Sequence, residues 1–219
     1  MPRLKHQLQD LLEKTQYEEI ANLAQGKKRV LNALVSLTFD PDELTVRRAI
    51  QAMGLAADRI AQRDPAAVQN HLQQLRWLIN DESGAVCWHA PEAMAEIIRR
   101  RPNDFADYIP IVVTLLKVMA DEDLESFRPG ILWAIGRLGS IAHAEIDAVL
   151  PRITSALDDP LPRVRGLAVW CLEQTGRGQQ IAGRDDLLAD EATFEFFEDE
   201  QLKRVSVGQL ARRALESGS

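Results

Sequence analysis

Residues 150–176 read LPRITSALDDPLPRVRGLAVWCLEQTG, and this stretch limits the possible folds more than any other part of the chain. Leu150, Ile153, Thr154 and Leu157 recur at helical spacing, and so do Val164, Leu167, Ala168, Cys171 and Leu172. Asp158, Asp159 and Pro160 stand between the two sets as a turn, because Asp caps a following helix and Pro cannot continue a preceding one. Gly176 ends the second helix as a residue able to take a left-handed cap. Two short amphipathic helices joined back to back cannot bury their apolar stripes alone. They need neighbours of the same kind.

The same order recurs upstream. Pro110 falls in a first helix, Asp121-Glu122 in the turn, and Phe127-Arg128, Ile131, Ala134-Ile135-Gly136 and Leu138-Gly139 in a second helix. A further copy spans residues 66–101, with Asp81-Glu82 at the turn and Val86, Ala90, Ala93-Met94 and Ile97 on the inner face. The first copy pairs residues 28–37 with residues 44–60 across an Asp40-Pro41-Asp42 turn. Pro91 either kinks the second helix of its copy or lies in the first turn of a helix starting near Ala90, where proline is tolerated.

This pattern resembles the HEAT repeat family, including the HEAT-like repeats of bilin lyases. The match rests on a helix bearing Pro151, the Asp turn, Val164-Arg165, Ala168, Cys171-Leu172 and a closing glycine. Periods near 37 to 41 residues fit such repeats. The expected fold is all-α: an α-α superhelix, or HEAT-repeat solenoid, with a small C-terminal hairpin and helix cap. The expected division is N-terminal capping helices in residues 1–27, four helix pairs in 28–176 and an acidic cap or arm in 177–219. Residues 185–200 carry eight acidic side chains and no basic one. Within the tail, residues 192–197 and 202–207 read as strands of a hairpin and 207–215 as a final helix.

The resemblance implies that the second helices line a concave surface. Counting six residues from the Val or Phe that starts each pattern gives Glu92, Trp133 and Trp170 in successive copies. Trp88 and Glu92 are i,i+4, and His89 and Glu92 i,i+3, so all three are expected to be neighbours. Arg137, Glu96, Gln174 and Arg177 extend the stripe, beside small residues such as Gly130 and Gly166. Trp88, His89, Glu92, Trp133, Arg137 and Trp170 are therefore the candidate partner-binding residues. A concave aromatic surface with a few polar groups suits a ligand or peptide. The alternative is that the tryptophans pack between repeats as core.

A formal net charge of −7 argues against a general nucleic-acid binder, which depends on basic surface. Lys27-Lys28-Arg29 with Arg47-Arg48 mark the one basic patch expected near the N-terminus, while Arg99-Arg100-Arg101 closes a helix. Cys87 and Cys171 lack metal-site spacing and read as small buried hydrophobes. No secretory signal or membrane span is legible, which points to a cytoplasmic chain. No phosphate loop, nucleophile elbow, zinc motif or cofactor signature is found. His-Glu steps of the kind that bind iron in HEAT-repeat hydroxylases are missing, since His6, His71, His89 and His143 are scattered.

The expected function is a non-catalytic interaction or scaffold module, with a protein or peptide partner rather than nucleic acid or membrane. The alternative is a HEAT-like DNA repair glycosylase. There Trp88, Glu92 and Trp170 would hold a damaged nucleotide, with Arg128 or Arg137 near the backbone.

Overall fold

A computed structural model describes residues 2–79, 87–121 and 125–217. The elements run α1 (Pro2–Glu13), α2 (Tyr17–Gly26), α3 (Arg29–Leu37), α4 (Glu43–Ala61), α5 (Pro65–Ile79) and α6 (Ala90–Arg100). Then follow α7 (Ile109–Asp121), α8 (Arg128–Leu138), α9 (His143–Ser155), α10 (Pro162–Gln174) and α11 (Asp185–Leu188). Strands β1 (Thr193–Glu198) and β2 (Gln201–Ser206) pair as a hairpin before α12 (Val207–Ser217). The expected turn residues Asp81, Glu82 and Glu122, and the inner-face Val86, lie outside the described residues.

Contacts divide the chain into two compact units, one ending at Tyr108 and including Asp199–Gln201, the other formed by Ile109–Glu198 and the residues from Leu202 on. In the first unit α4 is the hub, packed by α2, α3, α5 and α6. Its start is fixed by Asp42, whose carboxylate accepts from the Thr45 backbone at 2.9 Å and from the Thr45 hydroxyl at 2.7 Å. Small residues Ala49, Ala52, Ala56 and Ala57 are all fully buried, so neighbouring helices approach α4 closely. Gly54 marks the tightest point: a β-carbon there would stand 2.6 Å from the Glu96 carbonyl oxygen on α6.

In the second unit α7 packs on α8 and α9, α8 on α10, and α12 covers α10. The close of α10 is a Schellman motif. Gly176 adopts φ +70, its N–H reaches the Glu173 carbonyl at 3.1 Å, and the Arg177 N–H reaches Leu172 at 2.7 Å. Proline stands in the first turn of α6, α8 and α10, where no backbone donor is lost. Pro91 therefore starts α6 and does not kink it.

Candidate functional site

The six candidate residues fall into two sets, each within one unit. Trp88, His89 and Glu92 belong to the first. Because α6 begins at Ala90, Trp88 lies in the preceding turn and His89 is the N-cap residue. The shared helix face expected for Trp88 and Glu92 is thus corrected: one ring precedes the helix, and only Glu92 is on it. Trp88 is 48% exposed.

His89 and Glu92 do meet. The His89 Nδ1 donates to Glu92 Oε1 at 2.9 Å, and Arg47 Nη1 on α4 donates to the same oxygen at 3.4 Å. Arg47 also donates to Glu43 Oε1 from Nε at 3.2 Å and from Nη2 at 3.0 Å. The Glu92 side chain is 1% exposed and that of Arg47 5%, so this is a buried ion pair with a half-exposed imidazole at its edge. Burial alone would push the Glu92 carboxyl up, but the His89 hydrogen bond and the His89 and Arg47 charges hold it below its ordinary value. Its Oε2 is buried with no hydrogen-bond partner among the described residues. Such a network fixes α4 against α6 and gives the turn at Trp88 a rigid base. It also removes Arg47 from the expected basic patch, and Arg48 is turned inward to the Leu12 and Glu13 carbonyls.

Trp133, Arg137 and Trp170 form the second set, and the expected outward orientation of both rings is corrected. Trp133 is 4% exposed and Trp170 6%. They stack with centroids 6.4 Å apart, Phe196 meets Trp170 edge-on at 5.4 Å, and Phe194 meets Phe196 at 6.2 Å. The Arg137 guanidinium lies 5.3 Å from the Trp133 ring centroid, a cation–π arrangement. The reason for burial is steric. Small residues were expected to leave free room beside the rings, yet aromatics fill that room. A β-carbon at Gly136 would stand 2.3 Å from Trp170, and one at Gly166 2.2 Å from Phe194. Of the extended stripe, Glu96 is fully buried and accepts from Arg99 at 2.8 Å, and Arg177 pairs with Asp147 at 2.8 Å.

A nucleotide-holding arrangement is not assembled by these residues. Glu92 and Trp170 are covered, and Arg128 is held by Asp159 at 2.6 Å. Both cysteines are buried. Among the described residues no three His, Cys, Asp or Glu side chains gather as metal ligands, and no helix is long and apolar enough to cross a membrane.

One aromatic escaped the sequence reasoning. Trp77 on α5 is 78% exposed. The signal was present, since α5 buries Val68, Leu72, Leu75 and Ile79 on one stripe and Trp77 falls on the opposite side.

No family model matches the chain. An uncharacterized protein of Archaeoglobus fulgidus is 32% identical over 110 residues, a match covering 50% of this chain and 54% of that protein. The chain thus aligns with about half the length of that curated relative. Among solved structures, a designed armadillo repeat protein superposes with a TM-score of 0.51 at 19% identity, covering 100% of both chains. An engineered protein gives 0.51 at 18% identity, covering 99% of this chain and 96% of its own. An archaeal HEAT-like repeats protein from Thermococcus onnurineus gives 0.39 at 17% identity, covering 98% of each. Helix pairs in sequence order and the likeness to the armadillo repeat protein agree: the chain is an α-α repeat solenoid.

Proposed function

We propose that this chain is a non-catalytic interaction module that binds a protein or peptide through the exposed tryptophans of its second helix pair. The observation that supports this reading is the contrast among the four indoles. Trp133 and Trp170 are packed away, whereas Trp77 is 78% and Trp88 48% exposed on α5 and the turn before α6. Exposed indoles leave large apolar area in water, while at an interface Trp is among the strongest contributors to affinity. The Arg47–Glu92–His89 network holds the backbone under Trp88, so the ring is presented from a fixed base at little ordering cost.

The test is capture of partners from a native extract by the wild-type chain and by the variants Trp77→Ala and Trp88→Ala. Loss of about 2 kcal/mol of binding at a true hot spot, with the melting temperature unchanged, supports the reading. Partners retained by the doubly substituted chain would remove these rings from the binding face.

A further inference from the structure

A second surface of the first unit has a different chemistry. The first turn of α1 and the α2–α3 junction enclose a groove of about 1140 Å³ into which Arg3, Lys5, Lys27, Lys28 and Arg29 project. Among the described residues its lining includes no carboxylate and no aromatic ring. Lys28 is paired with Asp64, but Arg3, Lys5, Lys27 and Arg29 form no ion pair among the described residues. Several cations outside the groove are paired: Arg59 with Glu18, Arg101 with Asp58, Arg128 with Asp159, Arg165 with Asp190. Uncompensated charge gathered in one groove of a chain with net charge −7 is not explained by composition.

Nor is it explained by helix stability. Arg3 and Lys5 lie in the first turn of α1, and Lys28 and Arg29 at the cap and first position of α3, with no acidic residue in either first turn. Both helix starts carry positive dipole ends, where cations are unfavourable and anions favourable. Cations placed on two such ends repel one another until an anion enters. Local rules broken twice at one place mark a binding surface.

We propose that this groove docks an acidic, extended segment of a partner protein. A groove of about 1140 Å³ has room for an extended chain segment, and its gathered cations match an acidic one. Gln7, Asn32 and Ser36 line the same groove and supply donors and acceptors for a peptide backbone, while Leu4 and Ala33 supply apolar contact. Single-stranded nucleic acid is disfavoured because no ring is available for base stacking, and a duplex because the chain as a whole is acidic. This surface is separate from the tryptophans of the proposed function and stands or falls independently of them.

The experiment is fluorescence anisotropy of the full chain with a labelled peptide of alternating Glu and Ala, against a labelled Lys-Ala peptide and a single-stranded oligonucleotide. Wild type is expected to bind the acidic peptide alone, more weakly as NaCl rises from about 0.05 to 0.5 M. The doubly reversed variant Lys27→Glu/Arg29→Glu, at exposed positions, should lose about tenfold or more while keeping its helical spectrum. Trp77→Ala/Trp88→Ala should bind the peptide as wild type does. No acidic-peptide binding by wild type, tighter oligonucleotide binding, or full binding by the charge-reversed variant would each overturn the proposal. Loss of peptide binding in the tryptophan variant instead would move the peptide to the other face.

Discussion

The indole of Trp170 lies directly on Gly136, so close that a β-carbon on the glycine would stand 2.3 Å from ring atom Cζ3. Trp133 stacks on the same indole and Phe196 meets its edge, so the ring is held on three sides. Cutting it to alanine removes a buried aromatic and should cost about 3–5 kcal/mol of stability. Gly136→Ala should also destabilise, because the added methyl meets a ring that is already clamped, with about 1–3 kcal/mol expected for overpacking. Thermal or urea unfolding of both variants checks this. A Trp170→Ala protein that melts like wild type would return the ring to a binding role.

The helix pairs were legible because apolar stripes of 3.6-residue period, Asp turns and closing glycines all agree, as in α10 with its Gly176 cap. The His89–Glu92 contact was legible for the same reason, being local. The orientation of Trp133 and Trp170 was not. Residues 131–136 of α8 and 166–172 of α10 are buried without a break, so these helices are covered on more than one side and have no outward stripe there. Which side a neighbour covers depends on β1 supplying Phe194 and Phe196 from some 25 residues later, a non-local fact that periodicity cannot carry. Lys27-Lys28-Arg29 was visible as a run, but its convergence with Arg3 and Lys5 depends on packing between helices.

Burial pushes the thiols of Cys87 and Cys171 up, with the Thr38 hydroxyl, 3.6 Å from the Cys87 sulfur, offsetting part of the effect at that site. Protonated, covered thiols are poor nucleophiles. Both are therefore expected to react slowly with a disulfide reagent at neutral pH, at a rate set by opening of the fold. In urea the chain should release two equivalents, matching its two cysteines. Rapid modification of either thiol in the folded protein would show that its helix opens independently.

His71 on α5 is 5% exposed, and burial pushes its pKa down from 6.5 to about 4, against a hydrogen bond with Gln74 that works the other way. The unfolded chain binds this proton at higher pH than the folded one. Stability is therefore whole above about pH 6.5 and declines as the pH falls toward 4, by roughly 3 kcal/mol in all. Urea midpoints measured across this window for wild type and His71→Gln isolate the contribution, since other groups titrate in both. Equal slopes would mean that the imidazole is hydrated in the folded state.

Arg47 and Glu92 join α4 to α6 with side chains 5% and 1% exposed. Removing one member of such a pair strands the other, so Arg47→Met or Glu92→Leu alone should cost about 3–5 kcal/mol. Replacing both with apolar side chains removes the stranded charge, and the double variant should lose less than the sum of the single losses. The pH dependence follows from the same geometry. With its pKa held below the ordinary carboxylate value, Glu92 contributes stability above that value and loses it as the pH falls through the folded pKa. Glu92→Gln should abolish this part of the acid sensitivity while leaving the part due to His71. Urea unfolding at neutral and acid pH measures both effects. Strictly additive single losses would show that the two groups do not act as a pair, and Trp88 would then lack the fixed base from which it is presented.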